Sequence, residues 1–272
     1  MGAVTIARAT LAGFTRDRGT LLAAGIAYYT LLSTFPMILG LLAIVGSVLS
    51  EPTMRERLVR GMAEAFPGSE TLIARTVADA SSGRETAGLV AVLALLWSAS
   101  GVFSAISTAL DVVLNLPHRR SIVRSILVAI GLVLGVGVIF VISLLASAVV
   151  AFLTTAGALL PTPWPNGLGP LIAVLSPVVS LLVTFAVFTG IYRFAPSRPM
   201  RWSVTWPGAV LASVFFEASK LVFVWYLNTV AHLNAVYGPV GTVVAFVTWA
   251  YYAAVILLLG AELNVVLARQ QP

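Results

Sequence analysis

Two oppositely charged residues lie one helical turn apart within an apolar stretch of this 272-residue chain. The i, i+3 spacing of Glu217 and Lys220 places both on one helix face and allows a direct ion pair. A charge at the centre of a bilayer costs roughly 2.5–3.5 kcal/mol on insertion scales, so it is found paired or facing a water-filled cavity. Two interpretations stay open. The pair fixes helix packing, or it lines a polar cavity in which Lys220 meets an anionic substrate and Glu217 carries a proton.

Small polar residues recur in an earlier apolar stretch at helical spacing. They are Ser100, Ser104, Ser107, Asp111 and Asn115. Steps of three and four residues put them on one helix face. Tight packing explains the serines alone, because small residues let helices approach and hydroxyls bond across them. Asp111 adds a charge that suits a cavity, although an interfacial ion pair with Arg119 or Arg120 stays open.

Polar groups also mark the first and the last apolar stretches. Tyr29 and Ser33 precede Pro36, and a proline frees a backbone carbonyl, so we expect a kink that exposes backbone to a substrate or serves packing alone. Glu262 and Asn264 interrupt the long apolar run at the other end of the chain. A carboxylate there must be paired, face a wet cavity or lie near the interface.

The sequence carries no motif for metal, nucleotide or covalent chemistry. It has no cysteine, no phosphate-binding loop and no nucleophile elbow. His118 and His232 fall at opposite membrane faces in the topology below, so they cannot form one metal site. We therefore expect no metal, no cofactor, no catalytic residue and no enzymatic activity.

Composition defines the class of protein. The chain is 59% hydrophobic and only 10% charged, with a mean hydropathy of +1.01, whereas soluble domains carry roughly 25% charged residues. It is therefore predicted to be an integral membrane protein. The net charge of +6 comes from arginines scattered in short runs at segment ends. That distribution is typical of membrane anchoring, and we expect no nucleic-acid partner.

Hydropathy predicts an all-α, polytopic fold with six transmembrane helices in a single domain over residues 1–272. The spans are placed at about 20–50, 87–114, 122–155, 170–195, 204–228 and 238–268. They are assigned as helices because only helices and closed barrels satisfy the backbone in lipid, and the alternation of a barrel strand is missing.

Arginine counts orient these spans. Ten arginines fall on the side that holds both termini, and five fall on the other side, all in the 51–86 loop. The positive-inside rule therefore places both termini in the cytoplasm. The loop itself is predicted to form an outer amphipathic helical hairpin, because Thr53 to Glu56 matches a capping box and Pro67-Gly68 breaks the pattern. A lid over helix ends and a recognition element both remain open for this hairpin.

Three segments resemble the YihY/BrkB family of bacterial inner-membrane proteins. They are Ala27-Tyr-Tyr-Thr-Leu-Leu-Ser-Thr-Phe-Pro36, Leu96-Trp-Ser-Ala-Ser100, and Tyr237-Gly-Pro-Val-Gly241 through Trp249 to Gly260-Ala-Glu-Leu-Asn264. The resemblance implies six spans with cytoplasmic termini in the bacterial inner membrane. It also implies an envelope-associated role, with links by name to virulence and lipid handling. Some members carry an old ribonuclease BN label. This sequence has no metal-ligand cluster and no basic groove that would support that label.

Four ionisable groups on three spans lead to a functional hypothesis. We expect a secondary transporter or exporter of an anionic or amphipathic envelope metabolite or lipid. The candidate cavity residues are Tyr29, Ser33, Pro36, Ser100, Ser104, Ser107, Asp111, Glu217, Lys220, Glu262 and Asn264. The alternative is a scaffold or envelope-integrity protein that binds a partner through its outer hairpin. Membrane lipids are expected partners, and the sequence leaves homo-oligomers, substrate, coupling ion and direction open.

Overall fold

Six helices make up the described part of this chain in a computed structural model. The structure describes residues 2–48, 100–116, 131, 169–229 and 239–269. The helices are α1 (Ala3–Arg16), α2 (Gly19–Val48), α3 (Ser100–Val113), α4 (Gly169–Phe194), α5 (Trp202–Thr229) and α6 (Pro239–Ala268). Within these ranges no strand occurs, as the all-α prediction requires.

Three of these helices are long and apolar enough to cross a membrane. The segments are Pro177–Phe194, Trp202–Tyr226 and Val243–Ala268, and they coincide with the last three predicted spans. The predicted span at 122–155 and the outer hairpin at 51–86 lie outside the described residues, apart from residue 131. Only residues 100–113 of the second predicted span are described as helix. The structure therefore supports an all-helical membrane protein and leaves the count of six spans a prediction.

Helix α6 is the centre of the described bundle. It packs against α1, α2 and α5, and α4 packs against α5. Its buried face consists of Ala254, Leu257, Leu258 and Ala261. Because lipid tails are as apolar as these side chains, small residues and close van der Waals contact must hold the helices together.

The closest helix crossing joins α5 and α6 at two glycines. A methyl group added at Gly208 would overlap the backbone carbonyl oxygen of Gly260, and one added at Gly260 would overlap the hydroxyl of Tyr192. That hydroxyl donates a hydrogen bond of 2.7 Å to the carbonyl of Leu257, one turn earlier in α6. The absence of two Cβ atoms thus lets α4, α5 and α6 meet at one point.

Helix α1 is an element that the sequence analysis did not predict. It is amphipathic, with Thr10 and Gly13 buried and Arg8 exposed, and it packs on α2 and α6. Arg18, with φ of 53°, makes the turn into α2. The helix of α2 then continues through Pro36 to Val48, so this proline is accommodated within the helix.

Candidate functional site

An ion pair between α5 residues, joined to α4 by two hydroxyls, forms the first candidate site. Nζ of Lys220 lies 2.7 Å from Oε2 and 2.8 Å from Oε1 of Glu217. The hydroxyl of Thr184 donates to Oε1 at 2.6 Å. The hydroxyl of Ser180 also donates to this carboxylate, at 3.1 Å, and accepts from Lys220 at 3.1 Å. Nζ of Lys220 also lies over the ring of Phe216, 5.7 Å from the ring centroid. We call this group the mid-span cluster.

The depth of the mid-span cluster follows from the aromatic residues of α5. Trp202 and Trp206 are exposed at one end of the helix, and Trp225 and Tyr226 are exposed at the other. Such belts mark the two membrane interfaces, and the first and last tryptophan are about 35 Å apart along a helix. Glu217 is eight residues from Trp225, which places it about 12 Å inside the belt at that end of the helix. The charges therefore lie at hydrocarbon depth.

The mid-span cluster is only partly covered. The side chains of Lys220 and Glu217 keep 37% and 24% of their exposure in the described part of the chain. Charges at this depth are expected to face protein or water and not lipid. Neither side chain is fully buried by the described helices, so the ion pair is not enclosed between α4 and α5.

The second group binds the turn between α4 and α5 to α3. Oδ1 of Asp111 accepts the backbone N–H of Ser197 at 2.7 Å, and Oδ2 accepts the hydroxyl of the same residue. The hydroxyl of Ser107 donates to the carbonyl of Ala195 at 2.7 Å. A carboxylate that accepts both donors of one turn residue fixes that turn as a charge-assisted cap does. For Ser107 and Asp111, this part of the polar stripe therefore has a structural use.

The rest of the stripe lies against α2 or at the surface. Ser33 is buried, and its Oγ would be 3.4 Å from a methyl group added at Gly101. Helices α2 and α3 therefore meet closely at this pair. Tyr29 and Ser104 are exposed, and Ser100 is half-buried.

Glu262 lies in the third group, where α1 meets α6. Its side chain is 1% exposed, and a methyl group added at Gly13 would overlap its Oε2. Among the described residues, Oε1 of Glu262 has no hydrogen-bond partner, and the carboxyl group of Asp17 is a close charged neighbour. The two acids therefore face each other where α1 meets α6.

Asp17 is also held by its neighbour in sequence. Nε and Nη2 of Arg16 donate to its two carboxylate oxygens at 2.7 and 2.9 Å. These bonds lower the pKa of Asp17 below its ordinary value, against the opposing effect of partial burial. Asp17 is therefore ionised at neutral pH.

Asn264 faces α5, on the opposite side of α6 from Glu262. Its Oδ1 accepts the backbone N–H of Gly208 at 2.7 Å, and its Nδ2 donates to the carbonyl of Thr205 at 3.3 Å. Gly260, Glu262 and Asn264 occupy every second position along this part of α6. Together they connect α6 to α5 and to α1. We call Gly260, Glu262 and Asn264 with these contacts the α6 junction.

The structure separates the predicted site residues into three groups. Glu217 and Lys220 lie in one, Ser107 and Asp111 in another, and Glu262 and Asn264 in a third. Sequence reasoning missed several partners, which are Gly13, Asp17, Ser180, Thr184 and Ser197. Ser180 and Thr184 are spaced by four, so their shared helix face was a usable signal. Among the described residues no three His, Cys, Asp or Glu side chains form a metal-binding group. His118 and His232 lie outside those residues.

Comparison with known proteins identifies relatives of this chain. The family model of the virulence factor BrkB matches residues 10–272. The chain belongs to the BrkB virulence factor family. YfkH of Bacillus subtilis, whose name describes it as ribonuclease-like, is 25% identical over 267 residues, 95% of this chain and 93% of its own. A UPF0761 membrane protein of Photobacterium profundum is 30% identical over 258 residues, 94% of this chain and 78% of its own. No solved structure matches the chain.

This assignment confirms the resemblance to the BrkB family found in the sequence. Together with the apolar helices, it makes the chain a membrane protein of the BrkB/UPF0761 type. The segment Gly260–Asn264, which carries part of the resemblance, is the α6 junction. In this BrkB protein that segment holds helices together, whereas the partly exposed ion pair Glu217–Lys220 belongs to α5.

Proposed function

We propose that this BrkB family protein is a secondary transporter or exporter that moves an anionic or amphipathic envelope metabolite or lipid across the bacterial inner membrane. In this proposal both termini are cytoplasmic, the protein is not an enzyme, and no nucleic acid or cofactor takes part. One observation carries the proposal. An ion pair at hydrocarbon depth, Glu217 with Lys220, keeps part of its surface exposed, although charges there are expected to face protein or a polar path.

The contacts of the mid-span cluster suit an exchange of partners. Lys220 has the Glu217 carboxylate and the Ser180 hydroxyl as partners. An anionic substrate that reaches Lys220 replaces the carboxylate, and Glu217 then keeps only the hydroxyls of Ser180 and Thr184. A carboxylate without a cation in a poorly solvated site favours its protonated form. Uptake of one proton by Glu217 as the anion binds keeps the site's charge constant.

An apolar groove next to the cluster supports an amphipathic substrate. It has a volume of about 620 Å³, lies between α5 and α6, and is lined by aromatic and aliphatic side chains that include Phe223, Trp249 and Tyr252. Phe223 lies one turn beyond Lys220 on α5. An acyl chain fits such a surface, while the acidic group of the same molecule reaches the ammonium.

A lipid transport assay tests the proposal with a defined probe. Purified protein is reconstituted into vesicles that contain fluorescent phosphatidylglycerol, and movement between leaflets is followed by chemical quenching of the outer label. We expect faster exchange than in protein-free vesicles, at a rate that depends on the pH gradient. The double variant E217Q/K220M removes both charges together, so it avoids an unpaired buried charge. It should fold and lose the acceleration, whereas T189V on α4 should keep it.

The outcomes separate the two candidate functions. If E217Q/K220M accelerates lipid exchange as much as the wild type does, the mid-span cluster is not part of a transport path. Vesicles with folded wild-type protein that exchange no faster than empty ones, with the anionic and with a zwitterionic probe, would contradict lipid transport. That second result favours the scaffold, whose proposed outer hairpin at 51–86 lies outside the described residues.

A further inference from the structure

A second cavity lies at the arginine-rich end of the described bundle, away from the mid-span cluster. Its volume is about 570 Å³. Arg16, Arg269 and Asn115 give it a polar side, and Leu114, Met200 and Val265 give it an apolar side. We call it the basic pocket. We propose that the basic pocket binds a phosphate group, with the headgroup of an anionic phospholipid as the ligand that fits both of its sides.

The ends of several elements build the basic pocket. Arg16 is the last residue of α1, Arg269 follows the last turn of α6, and Met200 belongs to the turn between α4 and α5. Asn115 follows α3 in the left-handed region, with φ of 52°. Because the apolar segment Val243–Ala268 ends at the pocket, the pocket lies at the depth where lipid headgroups are found.

The charges that face the pocket leave a net positive value. Arg16 and Arg269 contribute two guanidinium groups to its lining, and among the described residues no carboxylate lines it. Helix C-termini carry a partial negative charge that also attracts the arginines, so a simple capping role is the competing explanation. Two features of the arginines favour a ligand over that explanation.

The first feature is the number of unused donors. A guanidinium group has five N–H donors in a planar fork, and Arg16 uses Nε and Nη2 for Asp17. Within the described residues, no ion pair is formed by Arg269, whose side chain is exposed. Planar forks of this kind bind phosphate oxygens in pairs.

The second feature is the apolar side of the same pocket. A free phosphate ion gains nothing from Leu114, Met200 and Val265, whereas the glycerol and upper acyl carbons of a phospholipid do. Basic pockets between membrane helices on the cytoplasmic side, where the proposed topology places both termini, are a recurring way to hold anionic headgroups. The proposal does not depend on transport through the mid-span cluster, since it requires only an equilibrium site.

Native mass spectrometry of the purified full chain tests the basic pocket. The protein is titrated separately with phosphatidylglycerol and with glycerol 3-phosphate, which have the same phosphate chemistry from a lipid and from a soluble source. We expect a phosphatidylglycerol adduct that R269Q weakens about tenfold, the value for loss of one charge-assisted hydrogen bond. The matched control R8Q removes the same charge from an exposed position of α1 and should keep the adduct.

A further variant guards against failure of R269Q to fold. M200E leaves every helix intact and places a carboxylate against the arginines, so it should also remove the adduct. E217Q/K220M should bind phosphatidylglycerol as the wild type does, which separates this test from that of transport. Binding of glycerol 3-phosphate alone, lost in R269Q, would support the site with a soluble ligand. Unchanged binding in R269Q and M200E, an equal loss in R8Q, or no binding of either probe would overturn the proposal.

Discussion

Glu217 on α5 and Glu262 on α6 are acids of the same type in apolar helices, and their surroundings differ in kind. Glu217 has a cation and two hydroxyls around it and remains partly exposed. Glu262 is buried, is covered by the backbone at Gly13, and faces a second carboxyl group. The first arrangement offers partners that a ligand can replace. The second closes a contact between helices.

The comparison shows that a charge within a membrane helix does not by itself mark a functional site. At the α6 junction the same segment supplies Gly260 and Asn264, whose neighbours are backbone atoms of α5. Backbone positions cannot move without separating helices. Around Glu217 the neighbours are side chains of α4, which can change rotamer while both helices stay in place.

The largest effect is expected from a single methyl group at the α6 junction. G260A places a Cβ where the hydroxyl of Tyr192 and the carbonyl of Gly208 already lie. Such overpacking costs about 1–3 kcal/mol, occasionally more. We expect a clearly lower melting temperature in detergent, measured by size-exclusion chromatography after heating. G25A is the matched control, because nothing lies within 4 Å of a methyl group there. Equal melting temperatures of the two variants would refute the close crossing.

Replacing glutamate by glutamine should destabilise the protein more at Glu217 than at Glu262. E217Q leaves Lys220 without its carboxylate at hydrocarbon depth, and we expect a loss of about 2 kcal/mol. E262Q keeps the size of a buried side chain whose Oε1 has no hydrogen-bond partner among the described residues, and we expect a change below about 1 kcal/mol. Thermal unfolding measures both. The double variant E217Q/K220M should recover most of the first loss. A larger loss in E262Q than in E217Q would reverse the comparison.

Sequence reasoning succeeded where a pattern is local. The i, i+3 spacing of Glu217 and Lys220 predicted their ion pair, and the structure has it. Long apolar runs predicted α4, α5 and α6, because hydropathy over about 20 residues is a strong signal. The membrane class followed from composition alone, and the family followed from three short segments.

The partners of these residues could not be predicted, because they depend on how helices meet. Nothing in the sequence pairs Glu262 with Asp17, since the two are 245 positions apart and α1 was not expected as a helix. Asp111 was considered as a partner of nearby arginines, and those arginines lie outside the described residues. Its described contacts are with Ser197, at the far end of α4. The described contacts place the candidate residues in three groups, and the shared cavity stays a prediction.

A smaller effect should separate the hydroxyls of α4. T184V removes the 2.6 Å hydrogen bond to Glu217 at nearly constant volume, and we expect a loss of about 1 kcal/mol. T189V on the same helix is the control, because its buried hydroxyl has no hydrogen-bond partner among the described residues. It should be neutral or stabilising. Melting temperatures of the two variants provide the measurement, and equal losses would mean that the hydroxyl of Thr184 does not stabilise the carboxylate.

The smallest effect concerns acid, and it tests the α6 junction from the side of α1. Because Arg16 lowers the pKa of Asp17 in the folded protein, ionised Asp17 stabilises the fold above its unfolded-state pKa of about 3.9. This contribution is lost as the pH falls through the lower folded-state value. We expect the wild-type melting temperature to fall slightly more steeply than that of D17N below about pH 4, because solvent screens a pair in which Arg16 is half exposed. R16Q should lose the same acid dependence, because it removes the donor. R8Q should retain it, since Arg8 has no part in the contact. Parallel acid curves for the wild type and D17N would mean that the Arg16–Asp17 pair contributes nothing to holding α1 against α6.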